Sequence, residues 1–327
     1  MLTYIFRRLL QFIPTFILGT ILTFAIIQAA PGDMVDALKS NPRVTAKELQ
    51  RQREMFDLDK PVPVQYFTWI KNMAQGNLGQ SFQFNQPVKE LIKQPIVNSL
   101  ILVILSTLIL YAVAIPIGVY GALKPYGFWD RFFSLFAYFG LGLPSFFFAL
   151  LVIFGMVTLK QNYGWDLPIS GKSSSDLPES ISAFRSGWDV FLHALAPSAI
   201  LVLRSISSES RYIRGQMLEV LGQDFVRTAK AKGLSTDKVV YKHAFKVAVL
   251  PMVAGLGGLL PGLITGAGFV EVVFSWPGVT PLVLNALSNS DLYVIASVTA
   301  LSTVLYMVGN LLSDMALAAI DPRIRYN

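Results

Sequence analysis

Gly171-Lys172-Ser173 is the point where the chain comes nearest to phosphate chemistry. A nucleotide-binding loop wraps phosphate oxygens with consecutive backbone N–H groups, and it needs a glycine five residues before its second glycine. That position holds Asp166, whose carboxylate repels an anion. The two histidines, His193 and His243, are far apart in sequence and read as packing or interfacial residues rather than metal ligands. No G-x-S-x-G elbow and no H-E-x-x-H pair occurs. The chain has no cysteine, which excludes disulfides, thiolate catalysis and cysteine metal sites. Catalysis by this chain alone is not expected, nor is a cofactor or metal held by it.

What remains is the chemistry of movement. Small residues recur every four positions at Ala254, Gly258, Gly262 and Gly266, and again at Ala114, Gly118 and Ala122. Such stripes let helix backbones approach in lipid, where packing drives association. They serve either as fixed seams or as interfaces that slide. Pro116, Pro144 and Pro261 interrupt apolar runs, and each removes a helix hydrogen bond and can kink or break its helix. Pro144 is the densest such point, between Gly140-Leu141-Gly142-Leu143 and Ser145-Phe146-Phe147-Phe148. Its aromatics form either an apolar constriction or a lipid-facing surface. Arg204, Glu209, Glu271 and Asp314 are charges in or beside apolar runs, so each must face protein or a wet cavity. Arg204 and Glu209 are spaced to pair roughly on one helix. Glu271 fits either the outer interface or a pathway. The candidate pathway or gate residues are Pro144, Ser145, Phe146, Gly262, Gly266 and Glu271.

The elements that position these residues are membrane spans. Of the 327 residues, 53% are hydrophobic and only 14% charged, against about 25% charged in a soluble domain. Uncharged runs cover 9–30, 94–123, 132–159, 247–270 and 292–313, each long enough to cross a bilayer. A sixth span over 190–203 is shorter and needs Arg204 or Glu209 inside the bundle. The first run is too long for a signal-peptide core and no A-x-A site follows it, so it reads as a retained anchor. The expected fold is an all-α membrane protein with six transmembrane helices. The expected divisions are 1–30, an extracytoplasmic segment at 31–93, a core at 94–320 and a tail at 321–327.

The net charge of +7 fits a basic cytoplasmic side better than nucleic acid. With six spans, Arg7, Arg8, Lys124, Arg131, the basic stretch 211–250 and the tail all fall on one side, which places both termini in the cytoplasm. In the outer segment Thr45 and Glu48 form a capping box for a helix through Phe56, which Pro61 and Pro63 end. Tyr66, Trp69 and Met73 share one face of a second short helix. Residues 160–190 read as a loop.

The stretch 211–250 is polar, basic and helical in tendency. Asp224 can cap a helix over 225–232 that ends at Gly233, and Ser235 can cap a second over 236–249 closed by Pro251. This unit is either a basic helix lying on the membrane or a docking projection for a soluble partner, with Ala229 and Ala231 allowing close approach.

Phe225-Val226-Arg227-Thr228-Ala229-Lys230-Ala231-Lys232-Gly233-Leu234-Ser235, then Lys242-His243-Ala244-Phe245 and Leu250-Pro251, resembles the cytoplasmic EAA loop of bacterial ABC-importer permeases. More narrowly it is similar to the dipeptide/oligopeptide/nickel group. Arg227-Thr228 replaces the general Glu-Ala, and Gly233 to Pro251 is longer than the general spacing; both match that group's own version. Pro31-Gly32-Asp33, Leu58-Asp59-Lys60-Pro61, Gly76-Asn77-Leu78-Gly79 with Ser81, Trp276-Pro277-Gly278 and Asp321-Pro322-Arg323 resemble the first of the group's two paired permeases.

The resemblance implies a heterodimer with a second permease in the bacterial cytoplasmic (inner) membrane. It implies two ABC ATPase subunits that carry ATP and Mg, and an extracytoplasmic solute-binding protein. Residues 225–235 would form a coupling helix in a cleft of one ATPase, with Phe225, Arg227, Thr228, Ala229, Lys230, Ala231, Lys232, Gly233 and Leu234 as docking residues. The implied solute is a di- or oligopeptide, with nickel chelates, glutathione and oligosaccharides as alternatives. Outside this family the competing classes are an ion-coupled secondary transporter, a membrane-embedded enzyme and a regulatory membrane protein.

Overall fold

Lipid offers no hydrogen bonds, so a spanning backbone must satisfy its own polar groups. The fold obeys this. A computed structural model describes residues 2–29, 35, 45–55, 57–142, 144–174, 178, 181–258 and 268–320. Among them secondary structure is helical, apart from one isolated bridge between Gln80 and Pro87. Six helices are long and apolar enough to cross a membrane.

The first is α1 (Leu2–Ala29). Two short helices follow, α2 (Ala46–Met55) and α3 (Val62–Ala74). The Thr45 hydroxyl accepts from the Glu48 N–H at 3.3 Å, the expected cap. The prolines act differently from expectation: α2 stops at Met55, and Pro61 is instead the N-cap of α3. Proline suits a helix start because no intrahelical bond is lost there. Tyr66 and Trp69 are buried against Phe24 of α1, and Met73 packs beside them.

α4 (Val88–Leu123) is one helix of about 54 Å, and it runs through Pro116 unbroken. The uncharged run 132–159 is not one helix. It divides into α5 (Phe128–Gly142) and α6 (Ser145–Tyr163), with Pro144 extended between them as the N-cap of α6. α7 (Ala183–Leu221) is about 58 Å long, so the weak span at 190–203 is part of a helix longer than the bilayer is thick. After α8 (Asp224–Ala231) comes a run of changing pitch. It starts as a π-helix (Lys238–Ala244), continues as α9 (Phe245–Ala248) and α10 (Leu250–Gly255), and tightens to a 3₁₀ turn (Leu256–Gly258). The chain closes with α11 (Phe269–Val273), α12 (Val279–Ser288) and α13 (Leu292–Ile320).

Contacts sort these elements into two ends. Tyr4 and Arg8 of α1 bond Asp314 of α13 at 2.6 and 3.2 Å, while Phe24 meets Leu292 and Ala296, so α1 and α13 are antiparallel. The start of α4 packs on α12 and the start of α13. α7 lies parallel to α4: Ser198 approaches Leu102, Ile213 meets Gly118, and the Arg214 Nε donates to the Gly121 carbonyl. One end therefore gathers Leu2, Leu123, Phe128, Leu221, α8 and Ile320. The other gathers Ala29, α3, Val88, Gly171, α11 and α12.

Candidate functional site

The end carrying α8 presents a compact projection. α8 has eight residues, and isolated helices that short are unstable in water. Packing holds it. Val226 and Ala229, one turn apart, are buried with Val239, Val240, Ala244 and Ala248 against Ala114, Val119 and Ala122 of α4 and Ile213, Met217 and Val220 of α7. Asp224 is not the N-cap but the first helical residue; Gln223 caps the helix without a side-chain bond, and Asp224 pairs with Arg227 at 3.4 Å. At the other end Gly233 has φ +75°, where a Cβ would be strained. Its N–H donates to the Lys230 carbonyl and the Leu234 N–H to the Ala229 carbonyl. Those two bonds are a Schellman stop.

Of the expected docking residues, Phe225, Arg227, Thr228, Lys230, Ala231, Lys232, Gly233 and Leu234 are exposed. Ala229 corrects the expectation: it is only 7% exposed and faces the chain's own core. It anchors the projection and offers no surface to a partner. A further tie was not read from sequence. Asp130 at the start of α5 bonds Arg214 of α7 at 3.1 Å and accepts from the Tyr126 N–H. The projection is held by α4 and α7, and α5 is tied to that same end of α7.

At the opposite end a knot of buried polar groups surrounds Glu271, which is fully buried and not at an interface. The Ser99 hydroxyl donates to one carboxylate oxygen at 2.5 Å and the Thr280 N–H to the other at 2.8 Å. The carboxylate so caps α12, where negative charge suits the helix dipole. The Val279 N–H donates to Ser99, the Asn98 amide to the Pro277 carbonyl and the Trp276 indole to the Asn98 carbonyl. The Trp276-Pro277-Gly278 turn is thereby locked to α4. Ser99 and Asn98 were missed because only their spacing to a charge could signal them, and that charge is 172 residues from Ser99. Nearby, Asp291 accepts from the Ser81 hydroxyl at 2.6 Å and the Gln83 N–H at 3.2 Å.

The other pathway candidates are dispersed. Pro144 and Phe146 lie exposed and Ser145 half-buried at the break between α5 and α6, with Phe147 also exposed and Phe148 packed inward. Gly262 and Gly266 lie outside the described residues, as do Pro31-Gly32-Asp33, Phe56, Pro261, the tail 321–327 and the Arg204 side chain. The close approach near the first stripe is at Gly257, against Asn310 and Gly309, rather than Gly258. Ser313 donates there to the Val253 and Ala254 carbonyls, where the helix tightens. The second stripe is a tight seam, with Gly118 against Ile213 and the Ser210 carbonyl. His193 is buried with Nδ1 at 2.9 Å from the Asp189 carbonyl.

Gly171, in the loop before α7, donates its N–H to the Phe274 carbonyl, away from the projection. Lys172→Ala is expected to change ATP hydrolysis by the complex that the resemblance implies by less than about twofold, since a half-buried side chain away from a site rarely matters more. Loss of nucleotide binding in that variant would restore the phosphate reading.

Family comparison decides what such a bundle is for. Residues 114–326 match the family described as binding-protein-dependent transport system inner membrane component. Residues 1–103 match the companion N-terminal family of the same membrane component. The chain belongs to this family. As an ABC-importer permease it is a multi-pass inner-membrane subunit rather than an enzyme, and it works with ATPase and binding-protein partners. The permease is 36% identical to the oligopeptide transport system permease protein AppB of Bacillus subtilis over 327 residues, covering 100% of both chains. It is 32% identical to the oligopeptide transport system permease protein OppB of Mycobacterium tuberculosis and to OppB of Haemophilus influenzae. Those matches cover 99% and 100% of each pair of chains.

Proposed function

We propose that this permease forms half of an ATP-driven peptide import pathway, paired with a second, related permease. Two ATPase subunits that carry ATP and Mg act at the end bearing α8, and a solute-binding protein acts at the opposite end. The names of AppB and OppB support peptides as the solute. The observation that carries the reading is the projection itself: an exposed rim of Phe225, Arg227, Lys230 and Leu234 on a unit whose inner face is fixed to α4 and α7. A partner that shifts the rim must shift both long helices, since close-packed interiors transmit displacement. The basic residues of this end, Arg7, Arg8, Lys124, Arg131 and the α8 region, support its placement in the cytoplasm, with both termini.

The chain has no cysteine, so a single cysteine at Leu234 is a unique label. Leu234→Cys is expected to react with a membrane-impermeant maleimide in inside-out vesicles, not in intact cells, and to be shielded once the ATPases bind. Labelling from outside the cell would reverse the orientation. Equal labelling with and without ATPases would remove the docking role.

A further inference from the structure

Beyond Leu203, α7 has two unlike faces. Ser210, Ile213 and Met217 are buried toward α4. Ser208 and Tyr212 lie exposed away from α4, and Ser205 and Glu209 are half-buried on the flank between the two faces. The parallel register with α4 fixes their depth. Leu102 stands level with Ser198 and Gly118 with Ile213, so Glu209 stands level with the turn around Ala114. That turn is inside the uncharged 94–123 run, about 14 Å short of its end. Glu209 therefore stands level with the uncharged run of α4. It forms no hydrogen bond or ion pair with a described residue, and Tyr111 of α4 is within electrostatic reach. A carboxylate beside an uncharged membrane run is costly unless it faces water or an opposite charge. Two serines and a tyrosine beside it are wrong for a lipid surface and right for a wet one.

We infer that this face of α7 lines the solute passage and that Glu209 receives the α-ammonium group of the transported peptide. The inference rests on the peptide reading above. The carboxylate supplies a charge-assisted acceptor for the one cation that every unmodified peptide carries, and the Ser205 and Ser208 hydroxyls can meet the amides that follow. Charge complementarity at the amino end is independent of side-chain sequence, which suits a passage that must accept many peptides. The rival occupants are the Arg204 guanidinium, whose side chain is outside the described residues, and a cation on the second permease; either would make Glu209→Gln act on both peptides alike, so the experiment separates them from the peptide amine.

Wild-type, Glu209→Gln and Glu209→Asp permeases are assembled with the same partners in vesicles. Uptake of a tripeptide is compared with uptake of its N-acetyl derivative, together with peptide-free ATP hydrolysis. Since one binding protein serves all three complexes, its own preference cancels in each variant-to-wild-type ratio. Glu209→Gln is expected to slow free-amine uptake about tenfold, the loss of a bond to a charged group. Its N-acetyl uptake and peptide-free hydrolysis should stay within about twofold, and Glu209→Asp should recover most of the lost rate. An equal proportional fall for both peptides overturns the inference. So does failed assembly or altered peptide-free hydrolysis, which would assign Glu209 to the subunit contact. A wild-type complex that carries neither peptide removes the peptide reading and the inference together.

Discussion

Val226→Asp is expected to leave the chain inserted in the membrane and to bring ATP-driven uptake to background. Val226 is fully buried where α8 meets the π-helix and the ends of α4 and α7. An unpaired carboxylate there costs at least about 3 kcal/mol, more than an eight-residue helix can hold against. The projection should detach while the spans, which also pack on one another away from it, stay together. Ala229→Asp should act in the same way, because Ala229 faces inward. Phe225→Ala should instead keep the helix and weaken only the contact with the ATPase. Protease sensitivity of residues 222–245, measured beside uptake, distinguishes the two outcomes: the aspartates open the segment and Phe225→Ala does not. Near-normal uptake with Asp at 226 would show that the projection does not transmit force.

Gly278→Ala is expected to be the most destabilising single-methyl addition at the opposite end. A Cβ at Gly278 would overlap the Glu271 carboxylate, and that carboxylate is already held by Ser99 and Thr280. It can retreat only by abandoning those donors, at about 1–3 kcal/mol for each one orphaned. Overpacking adds a similar amount. Glu271→Gln keeps the volume but turns one acceptor into a donor facing a donor, so its effect should be smaller and of the same kind. Thermal unfolding of the purified complex should rank wild type above Glu271→Gln above Gly278→Ala. Equal stability of all three would mean that the Trp276-Pro277-Gly278 turn is not held as described.

Local features were legible because their signals are local. The Thr45–Glu48 cap and the Tyr66–Trp69 face depend on residues within one or two turns, and both stand in the fold as read. Counting uncharged residues found the membrane segments but not their continuity. Pro116 is accommodated inside α4, whereas Pro144, extended between Gly142 and Ser145, separates two helices. The π-helical pitch at Lys238–Ala244 has no signature in residue type. In the sequence Ala229 reads as a contact surface because alanine permits close approach from either side. Its inward face follows from Val226 one turn earlier and from Val239 and Val240, which only the fold brings beneath it. Glu271 reads as interfacial or pathway-lining because its chain neighbours are apolar, but its partners come from α4 and from the start of α12.

The clasp between Tyr4, Arg8 and Asp314 bears on how the protein is made. Its two halves are 306 residues apart in the chain. At about 5–20 residues per second, a ribosome needs roughly 15–60 s between emitting one half and the other. During that interval the first helix has no Asp314 for its Tyr4 and Arg8 to bond, so the clasp can close only after the last helix has been made.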